Sequence, residues 1–325
     1  MLTRRTFLAS ASASCLAGPA MAQSYPTQTI RIIAGFPPGG GIDISARLVS
    51  EPLKNALGQT VIVENRTGAA GMLAANTVAK AAPDGHMLLM ATSGEIAISP
   101  HLYKDKMTYD PLRELTPIAL IGIVPCVVVV ATTTPVHNPQ ELIAYAKANA
   151  GKLSFSSSGV GNPQQLAGEL MNMMAGTNVL HVPYRGAAPA VTDVATGAVT
   201  MSFTSLAAAL PLLKADKIRA VAVTSKDRMP QLPDVAPLSE GPGLAGYELL
   251  NWFGMFATGG TPSAIVDRLN DIVNTALMTP SILDKLTVQG IVPRLMTAKE
   301  YASFVASETE KFGKIVEQAH IKLEN

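Results

Sequence analysis

Apolar residues along this chain fall in short bursts separated by polar, glycine or proline stretches. Ile30-Arg31-Ile32-Ile33-Ala34-Gly35-Phe36 reads as a buried strand, and Pro37-Pro38-Gly39-Gly40-Gly41 as a turn. Ile44, Leu48, Leu53 and Leu57 then recur at helical spacing, which predicts a helix over 42–57 stopped by Gly58. A strand over 60–64, a helix over 72–81 and a strand over 87–91 follow. Such a β-α-β-α-β run predicts a parallel sheet covered on both faces. The almost pure valine stretch 124–131 reads as a central buried strand.

The alternation then restarts. A helix is expected over 139–150, capped by Asn138 with Pro139 at its first position. Next come a strand over 153–157, a turn over 158–162, and a helix over 163–175 ended by Gly176. Further strands are expected over 179–183, 199–203 and 218–223. Residues 231–246 form a Pro/Gly-rich connection, and 249–257 another strand with Trp252 and Phe253. From Pro262 the tail is mostly helical, with Pro293-Arg294-Leu295 as a short edge strand. A helical tail without its own sheet has to pack on something. The economical arrangement is two α/β lobes, each with a parallel-type sheet, and a tail that returns to the first. Lobe 1 is then 23–123 plus 247–325, and lobe 2 is 124–246. The chain crosses near 121–130 and again near 249–257, making a two-strand hinge. Ligands of such folds bind in the cleft outside the carboxyl ends of the strands.

Composition narrows the class. Of 325 residues 48% are hydrophobic and only 15% charged, so the chain has ample core material and is not disordered. A net charge of +1 leaves no bulk positive field, so no nucleic-acid partner is expected. Residues 1–22 have the plan of an export signal: Arg4 and Arg5, a mildly apolar stretch over 7–18, and Ala20-Met21-Ala22 as a cleavage site. Thr3-Arg4-Arg5-Thr6-Phe7-Leu8 fits a twin-arginine signal, and an ordinary secretory signal fits as well. Cys15 lacks a lipobox, because Ser12 stands where Leu is wanted. Cleavage after Ala22 removes Arg4 and Arg5, takes the charge from +1 to −1, and leaves Cys126 as the only cysteine. A near-neutral, disulfide-free exported chain points to the bacterial periplasm.

Two loops carry the candidate chemistry. Pro37 to Gly41 lies between a strand and a helix, and so does Ser158-Gly159-Val160-Gly161-Asn162. Each sets free backbone N–H groups at a helix N-terminus, where the helix dipole adds partial positive charge. Facing each other across a cleft, they make an anion clamp that needs no Lys or Arg. Gly39-Gly40-Gly41 is neither a dinucleotide fingerprint nor a P-loop. Asp43 has two readings, helix cap or ligand contact, and the cap is preferred. The five histidines lie at no metal-ligand spacing, and no Gly-x-Ser-x-Gly elbow occurs, so neither metal, cofactor nor catalytic residues are assigned. Ser156, Ser157 and Ser158 are the one nucleophile candidate, with no base legible beside them. Cys126, Met171, Met173 and Met174 read as core, and Trp252 and Phe253 as hinge core or cleft lining.

Several segments together carry a family resemblance over essentially the whole mature chain. They are Tyr25-Pro26, the run from Phe36 to Asp43 followed by Ala46-Arg47, the run from Val63 to Gly71, and Pro83-Asp84-Gly85-His86. Leu166-Ala167-Gly168-Glu169-Leu170, the run from Val182 to Pro189, the run from Ile218 to Thr224, Trp252-Phe253-Gly254 and Gly260-Thr261-Pro262 complete the set. The sequence resembles the substrate-binding proteins of tripartite tricarboxylate transporters, the Bug-type family of Bordetella and relatives. The resemblance implies a type II-like two-lobe periplasmic binding fold, a small carboxylate ligand, and membrane components of a transporter as partners for a monomeric, non-enzymatic chain. It places ligand contacts at Phe36, Pro38, Gly39, Gly40 and Asp43 in the first loop. In the second lobe it places them at Ser157, Ser158, Gly159, Asn162, Gln164, Gln165, Tyr184 and Thr204, with Ser93 at a first-lobe strand end. Gln165 stands where members often carry His, and Thr204-Ser205 where an acidic or amide residue is common. Those departures disfavour an amino-acid ligand and favour a neutral-tailed monocarboxylate. A sensor that presents its ligand to a receptor kinase, and a serine hydrolase, are the alternatives.

Overall fold

The computed structural model describes residues 25–104 and 106–321. The export-signal segment 1–22 lies outside the described residues. The first lobe opens with β1 (Ile30–Ala34), α1 (Gly41–Leu57), β2 (Val61–Asn65), α2 (Met72–Ala79) and β3 (Met87–Thr92). The strands pair in parallel in the order β2-β1-β3. Gly58, at φ 68°, takes the left-handed cap that stops α1. After β3 come a π-helical turn, Gly94–Ile98, and a single helical turn, Ser99–Leu102.

β4 (Leu115–Ala131) is a continuous 17-residue strand, about twice the length the valine run predicts. Pro117, Gly122 and Pro125 hide its first half, since proline lacks a ladder N–H and glycine weakens strands. The structure accommodates two of them by register shifts, between Pro117 and Ala119 and between Leu120 and Gly122. Residues from Leu115 to Pro125 pair with β9 (Leu250–Thr258), and residues from Cys126 onward pair with the strands of the second lobe. That lobe runs α3 (Pro139–Ala148), β5 (Ser154–Ser157), α4 (Pro163–Ala175), β6 (Leu180–Pro183), α5 (Ala187–Thr196), β7 (Met201–Ser205), α6 (Leu206–Lys214) and β8 (Ile218–Val223), and the strands on β4 are β7 and β8.

The strand order is β2-β1-β3-β9-β4-β7-β5-β6, with β8 also on β4. The two lobes therefore keep the parallel runs that the sequence predicts, β2-β1-β3 and β6-β5-β7. β4 and β9 enter antiparallel to their neighbours. The reason is topological: one strand leaves the first lobe and the other returns, so the pair at the hinge must run in opposite directions.

The tail forms α7 (Ser263–Leu277), α8 (Pro280–Val288) and α9 (Ala298–Gln318), the last opened by a Thr297–Glu300 capping box. α9 covers both lobes. Tyr301, Val305 and Phe312 share one buried cluster with Trp252 and Phe256 of β9 and with Leu166, Ala167 and Met171 of α4. Trp252 is fully buried and meets Tyr301 edge-on at 6.1 Å, so it fills the hinge core. The edge strand expected at Pro293-Arg294-Leu295 does not form. Only Val292 bridges to Ile123, because Pro293 has no N–H to continue the ladder.

Candidate functional site

The first loop is built around an uncapped helix end. Gly40, the N-cap of α1, contributes no side-chain cap. The N–H groups of Gly41, Ile42 and Asp43 have no intrahelical partner by position, and no other protein acceptor meets them among the described residues. Asp43 is 3% exposed, and its carboxylate is spent on the loop itself. It accepts from Gly39 N at 2.9 Å, from Asn65 Nδ2 at 3.0 Å, and from Arg47 Nε at 3.0 Å. The Arg47 guanidinium beside it holds its pKa down to about 2. Asp43 thus fixes the loop, by bonding the residue before the cap rather than by capping. Arg47 and Asn65, which also ties to Phe36 O at 2.9 Å, share that task. Phe253 backs the loop: a Cβ on Gly41 would lie 2.8 Å from its ring. Pro38, Gly39 and Gly40 stand exposed, and Phe36 is half-buried.

The second loop is braced differently. Asn162 caps α4, accepting from Gln165 N at 3.0 Å and donating to Ser158 Oγ at 3.0 Å. Two backbone N–H groups that the sequence leaves free are taken: Ser158 N donates to Gln164 Oε1 and Gly161 N to Gln165 Oε1, both at 2.7 Å. The Asn-x-x-Gln spacing is a capping-box signal that could have disclosed part of this brace. Gly161 also touches the other lobe, where a Cβ would meet Leu102 Cδ1 at 2.7 Å.

Ser157 is fully buried and lies 2.7 Å from His181 Nε2, a partner that the sequence does not reveal. The hydroxyl proton goes to Gly159 O at 2.7 Å, since a carbonyl only accepts, so His181 donates from Nε2. Burial pushes the His181 pKa down to about 4. The pair, together with Gly159 N donating back to Ser157 Oγ, locks the loop and leaves no exposed nucleophile at Ser157. Ser156 is buried too, its hydroxyl on Ala190 O.

Between the loops, Ser93 Oγ donates to Asn251 Oδ1 at 2.8 Å, joining the end of β3 to the start of β9. Asn251 also escaped sequence reasoning, because a single polar residue opening a buried strand carries no pattern. Thr204, at 1% exposure, keeps an unpartnered Oγ1. The Tyr184 hydroxyl donates to Asp193 at 2.5 Å, which pushes its pKa up to about 12. The register brings these strand ends together. Thr92 of β3 pairs with Phe253, which pairs with Gly122, while Ser205 of β7 pairs with Cys126 on the same strand. Four residues of extended chain separate the two lobes' strand ends, roughly 13 Å. Cys126 sits buried at this crossover, where its thiol is pushed up to about 12 by burial.

A cavity of about 640 Å³ also opens at the hinge, between Lys226 and Arg228 on one side and Pro293 and Arg294 on the other. None of the sequence-predicted site residues lines it. No helix among the described residues is long and apolar enough to cross a membrane.

Two α/β lobes joined by a β4–β9 crossover, with strand ends and helix-opening loops turned to the crossover, define a two-lobe binding protein. The chain belongs to the tripartite tricarboxylate transporter family receptors, whose family description matches residues 45–321. It is 32% identical to protein BugT of Bordetella pertussis over 95% of this chain and 94% of that one. It is 34% identical to the R. palustris protein Rpa4515, solved with adipate, with a TM-score of 0.79 over 92% of this chain and 99% of that one. It is 31% identical to MatC from Rhodopseudomonas palustris, solved with bound malate, with a TM-score of 0.74 over 90% of this chain and 100% of that one.

Proposed function

We propose that this chain is a periplasmic solute-binding protein that captures a small carboxylate between its lobes and hands it to the membrane components of a tripartite transporter. One observation carries the reading: α1 is a 17-residue helix whose N-terminus has no side-chain cap and whose first three N–H groups lack protein partners. Such an end takes an anion without a Lys or Arg. The adipate and malate in the relatives' structures agree with it. Export by residues 1–22 delivers a monomer to the periplasm, with lobe 1 as 23–123 plus 247–325 and lobe 2 as 124–246. Phe36, Pro38, Gly39 and Gly40 border the first carboxylate. Ser93 and Thr204 line the floor, and Ser158, Gly159, Asn162, Gln164 and Gln165 the far side. Asp43, Ser157 and Tyr184 hold their neighbours in place.

A thermal-shift screen of the mature chain against mono- and dicarboxylates tests the proposal. A ligand at 100-fold over its dissociation constant adds about 2.7 kcal/mol, a readable shift. A carboxylate hit is expected. No shift from any carboxylate, with protein shown to be free of carried-over ligand, would overturn it.

A further inference from the structure

The two loops do not offer a ligand the same kind of donor. α1 presents backbone N–H groups. In the second loop the N–H groups of Ser158 and Gly161 are occupied by Gln164 Oε1 and Gln165 Oε1, each at 2.7 Å. An N–H donor demands the oxygen end of the amide, so both side chains have a fixed orientation, with their NH2 ends turned away from the backbone they brace. Gln165 is 7% exposed. Its Nε2 meets no protein acceptor among the described residues, yet it is not one of the atoms sealed from solvent without a partner. Its NH2 therefore keeps some contact with solvent. Gln164 is half-buried, and its Nε2 is also without a protein acceptor among the described residues. Asn162 locks the arrangement from below, and Gly161 sets it against Leu102 of the opposite lobe.

We infer that Gln164 and Gln165 are amide relays: the loop backbone holds each carbonyl, and each NH2 is offered to the ligand. The inference rests on the cleft being the ligand site. The second lobe then reads the ligand's far end with neutral donors. A carboxylate or carbonyl there is accepted. An ammonium is refused, and a bare alkyl tail leaves desolvated NH2 groups unanswered. This replaces the neutral tail expected from the sequence with an acceptor-bearing end. Because the brace already fixes both amides, little side-chain ordering is lost on binding.

Substituting Gln164→Glu and Gln165→Glu separates the relay from simple loop bracing. A glutamate still accepts the loop N–H, but it turns a carboxylate oxygen toward the ligand instead of an NH2. Wild type and both variants are titrated calorimetrically with two- to eight-carbon mono- and dicarboxylates at pH 8. The wild type is expected to favour a dicarboxylate at least tenfold over the monocarboxylate of equal length. Each variant is expected to lose at least tenfold for that dicarboxylate, with its melting temperature unchanged. A wild type that binds while both variants stay within twofold overturns the relay and leaves the proposed function standing. A wild type that binds no member of the series overturns both. Should a variant fail to fold, the wild-type Gln164 and Gln165 side-chain NH2 resonances serve instead. Their shift at saturation supports the relay, and unmoved resonances overturn it.

Discussion

Asp43 is the residue on which the first loop depends. Its carboxylate joins Gly39, Asn65 and Arg47, so one buried charge holds a loop whose helix has no side-chain cap. Its folded pKa of about 2 lies below the ordinary 3.8, so its stabilisation is complete above pH 3.8 and is lost as pH falls through 2. Asp43→Asn should cost about 1.5 kcal/mol at pH 7, the low end for a charged hydrogen bond because solvent screens the half-exposed Arg47. Chemical denaturation at pH 7 and pH 2 checks this: the gap between variant and wild type should shrink at the lower pH, and a constant gap would contradict it. The sequence makes much of this residue legible, since an acid in the first turn after three glycines points to loop fixing. It does not disclose Asn65 or His181, which reach the loops from other strands. Nor does it disclose that Gln164 and Gln165 consume the second loop's N–H groups, because a glutamine's acceptor partner is set by tertiary placement.

Among the elements, β9 and α9 are packed without tolerance. A Cβ on Gly254 would lie 1.8 Å from the Tyr301 hydroxyl oxygen, so the helix rests directly on strand backbone. Gly254→Ala should cost about 3 kcal/mol, the upper end for overpacking, and lower the melting temperature by several degrees. Gly40→Ala is the matched control. Its Cβ would meet nothing closer than Pro37 O at 3.5 Å, so thermal melts should leave it near wild type. Equal losses in the two variants would refute this account of the contact. Helices are the elements read best from the pattern: α1, α4 and the start of α7 fall where the apolar period, prolines and stop glycines put them. β4 is read only by half, because its first eleven residues carry two prolines and a glycine, and register shifts absorb Pro117 and Gly122.

The whole molecule is two lobes under one long helix, and its interior titrates. Glu95, fully buried in the turn after β3, accepts from Thr92 N at 2.8 Å, and burial pushes its pKa up to about 7. A raised folded pKa means its contribution is complete below the ordinary 4.5 and is lost as pH rises through 7. Glu95→Gln should therefore match wild type at pH 4.5 and melt higher at pH 8.5, whereas parallel melting profiles would contradict the assignment. At this scale the sequence makes legible the lobe count, the two crossings and the helical tail. It leaves out the reach of α9 onto α4, since nothing in an amphipathic stripe names its partner. The central claim is that a carboxylate is held at the open end of α1. The most direct measurement is an amide-resolved titration that follows the backbone N–H resonances of Gly41, Ile42 and Asp43 as a carboxylate is added. All three should move downfield and saturate together with the bound fraction. A carboxylate that saturates the protein while these resonances stay in place would contradict the account.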